Sequence, residues 1–173
     1  MTRTLSILAE DHPGVLMRIA GLIFRRGYNI RSLSVGHTHL DGISRFTIVV
    51  DADRRDIAPL MGQLSKLVEV LEVLELRGDR MVERRIALVK VACPVDMRDQ
   101  ILRIGQVFHC RVVDLGQEAV TFEVTGEPQK IEACVKAMRP YGILEVASSG
   151  SVGMTRADLD VAEESVPHLV LAC

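Results

Sequence analysis

Hydrophobic and polar positions change period several times along the chain, and each change marks an element. Leu5, Ile7 and Ala9 alternate with polar or smaller residues, the period of a strand, and Glu10-Asp11-His12-Pro13-Gly14 closes the run with turn chemistry. From Val15 the spacing becomes helical: Val15, Leu16, Ile19, Ala20, Leu22 and Ile23 share one face, and Arg25, Arg26 and Gly27 end the helix with cations and a C-cap glycine. Two β-branched stretches follow, Tyr28 to His39 and Ile43 to Val50. They are joined around Leu40-Asp41-Gly42, whose Asp-Gly pair supplies the positive φ of a tight hairpin turn. A second helix, capped by Asp56, carries Ile57, Leu60, Met61, Leu64 and Leu67, after which Val68-Glu69-Val70 and Val73-Leu74-Glu75-Leu76 read as strand. Leu60, Leu64, Leu67, Leu71 and Leu74 also fall on a coiled-coil seam, but it lasts about two heptads, short of the three or four that such a structure needs.

After the break at Arg77-Gly78-Asp79-Arg80 the same order returns. Ile86 to Val91 reads as a strand, and a helix after Pro94 carries Met97, Ile101, Leu102, Ile104 and Val107. A hairpin joins Cys110–Leu115 to Ala119–Thr125 through Gly116-Gln117-Glu118. Pro128 opens a helix with Ile131, Cys134, Val135 and Met138 on its apolar face; Pro140 and Gly142 end it, and Ile143 to Ala147 closes the unit as a strand. The predicted fold class is α+β: two ferredoxin-like βαββαβ units of about 80 residues each, over 1–78 and 79–158, with an acidic tail over 159–173. The tail is expected to be a short helix or loose chain, with its last residues poorly ordered.

Composition narrows the function classes. Hydrophobic residues make up 48% of the chain but aromatics only 3%, which describes a Val, Ile and Leu core on sheets and short helices. A formal net charge of −2, from 21 basic and 23 acidic residues, gives no broad attraction to nucleic-acid phosphates or anionic lipid. No apolar run approaches the ~20 residues that span a bilayer, and the N-terminal residues lack the regions of a signal peptide. Cys93, Cys110, Cys134 and Cys173 form no C-x-x-C pair, which fits reduced thiols in a cytoplasmic protein.

Catalytic machinery is hard to find. His37, His39 and Asp41 alternate and would share one face of a strand, as metal ligands do, but the end of an exposed hairpin explains them as well. Arg25 and Arg26 sit where a helix macrodipole favours cations, so they need no nucleic-acid partner. Neither G-x-G-x-x-G nor G-x-x-x-x-G-K-[ST] occurs. The remaining candidate is Asp11-His12-Pro13-Gly14-Val15-Leu16, a turn feeding a helix whose free N–H groups can receive a carboxylate, with Gly14 permitting close approach. A free amino acid carries such a carboxylate, and Asp11 or the side-chain oxygen of Asn29 could accept from its ammonium.

These residues carry a resemblance. Glu10 to Leu16, Arg18-Ile19-Ala20-Gly21-Leu22-Ile23, Arg26-Gly27-Tyr28-Asn29-Ile30 and Ser44-Arg45-Phe46-Thr47-Ile48 are similar to the ACT domain of acetohydroxyacid synthase regulatory subunits. The likeness continues through Lys66 to Leu71, Leu88 to Val91 and Val152-Gly153-Met154-Thr155-Arg156, so it crosses both halves. It implies an N-terminal ACT domain and a C-terminal ACT-like domain. ACT domains of that family pair into a dimer and bind branched-chain amino acids, chiefly valine. The implied effector positions are Asp11, His12, Pro13, Gly14, Val15 and Leu16 on one chain and Asn29 and Ile30 on its partner. By this resemblance the regulatory subunit lacks thiamine diphosphate and active-site residues, and no residue of this chain is assigned as a metal ligand, while a metal that organises the effector site stays an open alternative. Thiamine diphosphate, Mg and FAD are expected only in the separate catalytic subunit, which it activates and subjects to feedback inhibition. Where this chain has Asp11 the family commonly has asparagine; a carboxylate there either pairs with the effector ammonium or repels its carboxylate. The alternative is a free-standing ACT-repeat regulator of another pathway.

Overall fold

The computed structural model describes residues 1–157, in two compact units: Met1–Val82 together with the segment from Ser151, and Glu83–Gly150. In the first unit β1 (Thr2–Glu10), α1 (Val15–Arg25), β2 (Asn29–His37), β3 (Ile43–Asp51), α2 (Arg54–Leu64) and β4 (Val70–Leu76) follow one another as the hydrophobic periods predicted. The strands form an antiparallel sheet in the order β2-β3-β1-β4. Leu5, Ile7 and Ala9 of β1 and Phe46, Ile48 and Val50 of β3 point to the face that the helices cover. There they meet Val15, Ile19, Leu22 and Ile23 of α1 and Ile57, Leu60 and Leu64 of α2, all buried. Each such side chain contributes roughly 1.5–3 kcal/mol when fully removed from water.

The end of α1 shows how local sequence sets geometry. Gly27 takes φ 78°, donating to the Phe24 carbonyl at 2.9 Å, while Tyr28 N–H reaches back to Ile23 O at 3.2 Å. This pair of bonds is a Schellman closure, and it aims the chain directly into β2. The hairpin turn lies at Thr38–Gly42, with Gly42 at φ 72°.

The second unit repeats the plan with β5 (Met81–Ala92), α3 (Arg98–Val107), β6 (Arg111–Leu115), β7 (Ala119–Gly126), α4 (Pro128–Met138) and β8 (Ile143–Ser148), ordered β6-β7-β5-β8. Its core is Ala87, Val89, Val91, Ile101, Val120, Phe122, Val124, Ile131, Cys134 and Met138. α3 approaches the sheet so closely that a Cβ on Gly105 would stand 2.5 Å from the Phe122 ring.

Several expectations are corrected. Asp53 rather than Asp56 occupies the N-cap of α2, and Asp56 lies in the first turn, where a carboxylate suits the positive end of the helix. α2 ends at Leu64, so Leu67 packs against the core from a turn; Val68 and Glu69, expected as strand, lie in that turn region, and Val70 joins Val73–Leu76 in one strand, β4. Val107 is 75% exposed, its place on the buried face of α3 taken by Gly105. The second compact unit is Glu83–Gly150 rather than 79–158, because the chain returns to the first unit after Gly150. There Ser151 N–H donates to Ser32 Oγ at 2.9 Å, and β9 (Val152–Thr155) brings Gly153 against Leu76 and Thr47, on the sheet face away from the helices. Such a contact links residues far apart in sequence and leaves no periodic trace. The acidic tail over 159–173 lies outside the described residues.

Candidate functional site

The turn between β1 and α1 is built by its own sequence. Asp11 N–H donates to the Gly42 carbonyl at 2.8 Å, ending the β1–β3 ladder. Gly14 then takes the N-cap of α1 at φ 97°, a left-handed conformation costing about 1–2 kcal/mol for a residue with a Cβ. Its carbonyl accepts from Arg18 N–H at 3.0 Å, while Val15 N–H reaches back to His12 O at 3.5 Å. The N–H groups of Leu16 and Met17 lie in the first helical turn, where no carbonyl of the helix can accept from them. With the positive end of the macrodipole behind them, they are able to donate to a small anion such as a carboxylate.

Charged side chains frame this turn. Asp11 Oδ2 lies 3.0 Å from His37 Nδ1, at the far end of β2, and His12 Nε2 lies 3.3 Å from Glu10 Oε2. Arg18 forms an ion pair with Glu69, whose side chain is only 8% exposed, and Glu10 N–H donates to the Glu69 carbonyl at 2.9 Å. The first turns of α1 are thereby tied to the chain that leads into β4. Neither His37 with Asp11 nor Arg18 with Glu69 was foreseen from sequence, since each joins residues from different elements.

Asn29 and Ile30 open β2 at the opposite end of the sheet. Thr2 and Asn29 both stand opposite Asp51, whereas Glu10 stands opposite Ile43. With about 3.3 Å per strand residue, the nine-residue length of β1 separates the two groups by roughly 26 Å. Asn29 Nδ2 donates to Asp51 Oδ2 at 3.1 Å, and Arg31 Nε donates to both Asp51 oxygens at 2.9 Å. Those bonds hold the Asp51 carboxyl below its ordinary pKa, Arg31 first and Asn29 second. They also orient the Asn29 amide: with its nitrogen committed to Asp51, its oxygen is the atom left to accept from a ligand.

The structure thus brings Asp11, His12, Pro13, Gly14, Val15 and Leu16 together and keeps Asn29 and Ile30 apart from them within one chain. Val15 is 2% exposed, so its side chain belongs to the core and only its backbone faces the turn. Ile30 is half-buried and packs on the same core. Of the residues weighed as metal ligands, His37 pairs with Asp11, and no cluster of three His, Cys, Asp or Glu is assembled among the described residues. No helix of the described residues is long and apolar enough to cross a membrane.

β2 is an edge of its sheet, with Val35 47% exposed, and the neighbouring helix α1 exposes Leu16 at 43% and Met17 and Phe24 each at 79%. An open strand edge thus lies beside exposed apolar residues of a helix.

Comparison with known proteins decides the family. Residues 5–72 match the family described as the AHAS small subunit-like ACT domain, and residues 84–157 match that described as the small subunit of acetolactate synthase. The acetolactate synthase small subunit of Mycolicibacterium smegmatis is 44% identical over 90% of this chain and 91% of its own length. The chain belongs to the acetolactate synthase small-subunit family. A probable acetolactate synthase small subunit from Archaeoglobus fulgidus is 42% identical over 91% of this chain and 99% of its own. The crystal structure of the acetolactate synthase small subunit from Thermotoga maritima superposes with a TM-score of 0.85, at 32% identity, over 92% of this chain and 99% of that one. Membership in the small-subunit family gives the chain the ACT fold of its first unit and a place in branched-chain amino-acid synthesis. It also implies a catalytic subunit as partner.

Proposed function

We propose that this chain is the non-catalytic regulatory subunit of acetohydroxyacid synthase, that it activates the thiamine-diphosphate-dependent catalytic subunit, and that it makes that enzyme sensitive to valine. Thiamine diphosphate, Mg and FAD belong to the catalytic partner in this reading. The cytoplasm, where branched-chain amino acids are made, is its proposed location.

One observation carries the effector site: the carboxylate receptor at Gly14–Met17 and the ammonium acceptor at Asn29 sit at opposite ends of the β2 edge. Antiparallel pairing of two β2 edges about a two-fold axis brings the Asn29 end of one chain beside the His37 end of the other. His37 touches Asp11, so that end carries the turn. Two effector sites result, each sharing residues from two chains, and the exposed stripe of Leu16, Met17 and Phe24 is covered in the same step. Valine then binds with its carboxylate on the α1 N-terminus of one chain and its ammonium on Asn29 Oδ1 of the other. Binding shifts the dimer between two states that the catalytic subunit distinguishes, which is what coupling between two sites requires.

A mixing experiment tests the shared site. Gly14→Asp places a charge where the carboxylate belongs, and Asn29→Ala removes the acceptor, so each homodimer loses valine binding by calorimetry. In a mixed dimer one site carries both defects and the other carries neither, so co-refolded chains recover valine binding in proportion to the mixed dimers formed. If the mixture binds no more than its components, the site is not shared between chains.

A further inference from the structure

We propose that Cys110 and Cys134 of the second unit form a peroxide-sensitive dithiol, with Cys110 the reacting thiol and Cys134 the thiol that resolves it as a disulfide. Their sulfurs lie 3.5 Å apart, within hydrogen-bond contact. A disulfide needs about 2.05 Å, so closure requires an approach of roughly 1.5 Å, within the reach of side-chain rotation and a small shift of helix.

The two cysteines reach this position by different routes. Cys134 projects from the middle of α4 into the core and is fully buried. Cys110 follows α3 through a second Schellman closure, with Cys110 N–H on Gly105 O at 2.8 Å and His109 N–H on Gln106 O at 3.0 Å. His109 takes φ 53° there, an unusual conformation for a residue with a side chain, and it turns the chain so that the next residue faces α4. Cys110 is half-buried and Cys134 is fully buried, so of the two Cys110 is the one nearer to solvent. The electrostatics assign the same roles. The contact between the two sulfurs, with help from Lys130, lowers the Cys110 pKa, and the same contact together with burial raises that of Cys134. A thiol held toward its thiolate, exposed enough to react and backed by a second thiol, is the arrangement of redox-sensitive cysteines.

The chemistry balances with hydrogen peroxide as oxidant. The Cys110 thiolate attacks one peroxide oxygen, the O–O bond breaks, and hydroxide leaves, giving Cys110 sulfenic acid. The Cys134 sulfur then attacks the Cys110 sulfur; an S–S bond forms, and the hydroxyl leaves as water with the Cys134 proton. Peroxide is reduced by two electrons and the two thiols are oxidised together. The product ties the start of edge strand β6 to α4 and so braces one side of the second sheet.

Peroxide treatment of the reduced full-length chain carrying Cys173→Ser, followed by denaturing alkylation and peptide mapping, tests this assignment. The expected product is a linked Cys110–Cys134 peptide, lost on treatment with a phosphine, with Cys93 still alkylated. The thermal midpoint of the oxidised chain should rise and return on reduction. In Cys134→Ala, dimedone should label Cys110 as sulfenic acid; in Cys110→Ala, Cys134 should stay reduced. A wild-type Cys110 that remains a thiol under peroxide while the chain is folded would overturn the proposal. So would a disulfide joining Cys110 of two chains, or oxidation of Cys134 that persists in Cys110→Ala.

Discussion

At the scale of residues, the proposed effector site depends on three positions, Gly14, Asn29 and Asp51, and each acts through a different physical cause. Gly14 supplies a backbone conformation and an open approach. Its chain neighbours aside, no atom of the described residues lies within 4 Å of where its Cβ would be, so the cost of a side chain there is the left-handed φ and the space it would take from a ligand in the proposed site. Gly14→Ala is expected to lose about 1 kcal/mol of stability in chemical denaturation while keeping part of the valine response, and Gly14→Asp to lose the response altogether. Asn29 supplies an acceptor whose orientation Asp51 controls. Replacing Asp51 by Ala frees the amide to turn, and valine affinity measured by calorimetry should fall about 10- to 100-fold, the worth of one hydrogen bond to a charged group. The Asp51 carboxyl also reports on this network through pH. Its native pKa lies below 3.8, so the stability it contributes is full above that value and is lost as pH falls through the lower native one. Carbon-detected NMR titration should find the Asp51 midpoint below 3.8, and Arg31→Met should move it up toward that value; an unmoved midpoint would show that Arg31 is not the cause. The turn was legible in the sequence because glycine, proline and a helix start declare themselves locally, and Asn29 entered as a candidate through its place just past Gly27 and the family resemblance. Asp51, His37 and Glu69 were not, because what they touch is set by strand register and packing.

At the scale of elements, the change from a period of two to a period near four located the helices and strands of both units apart from β9, and the repeat of that order carried the fold class. What escaped the pattern were the places where packing overrides it. Gly105, an unpromising residue for a helix interior, is buried in α3 because the Phe122 ring occupies the volume a side chain would need. Gly105→Ala brings a Cβ within 2.5 Å of that ring and should destabilise the second unit by about 1–3 kcal/mol in denaturant unfolding, despite the higher helix propensity of alanine. A stabilised variant would mean that the ring moves freely and that close packing does not govern α3. The return of residues 151–157 to the first unit escaped for a related reason. Nothing in the alternation of Val152, Gly153 and Met154 says which sheet they lie on, and the contacts with Ser32, Thr47 and Leu76 join segments far apart in the sequence.

At the scale of the whole molecule, the proposed regulation depends on pairing of two chains. A four-stranded sheet with helices on one face leaves the β2 edge open, and the residues suited to an amino-acid effector stand at the two ends of that edge. Phe24→Asp and Val35→Lys charge the exposed helix stripe and the strand edge without touching the core, so sedimentation should show loss of the dimer while circular dichroism stays unchanged. The same variants should lose valine binding although every residue of the site is intact. The central claim is regulation, and the rate of acetolactate formation by the cognate catalytic subunit tests it most directly, measured with and without this chain across a valine titration. Stimulation by the chain that valine reverses, and that Gly14→Asp makes insensitive to valine, is the predicted result; a catalytic subunit whose rate is the same with and without the chain would contradict the account.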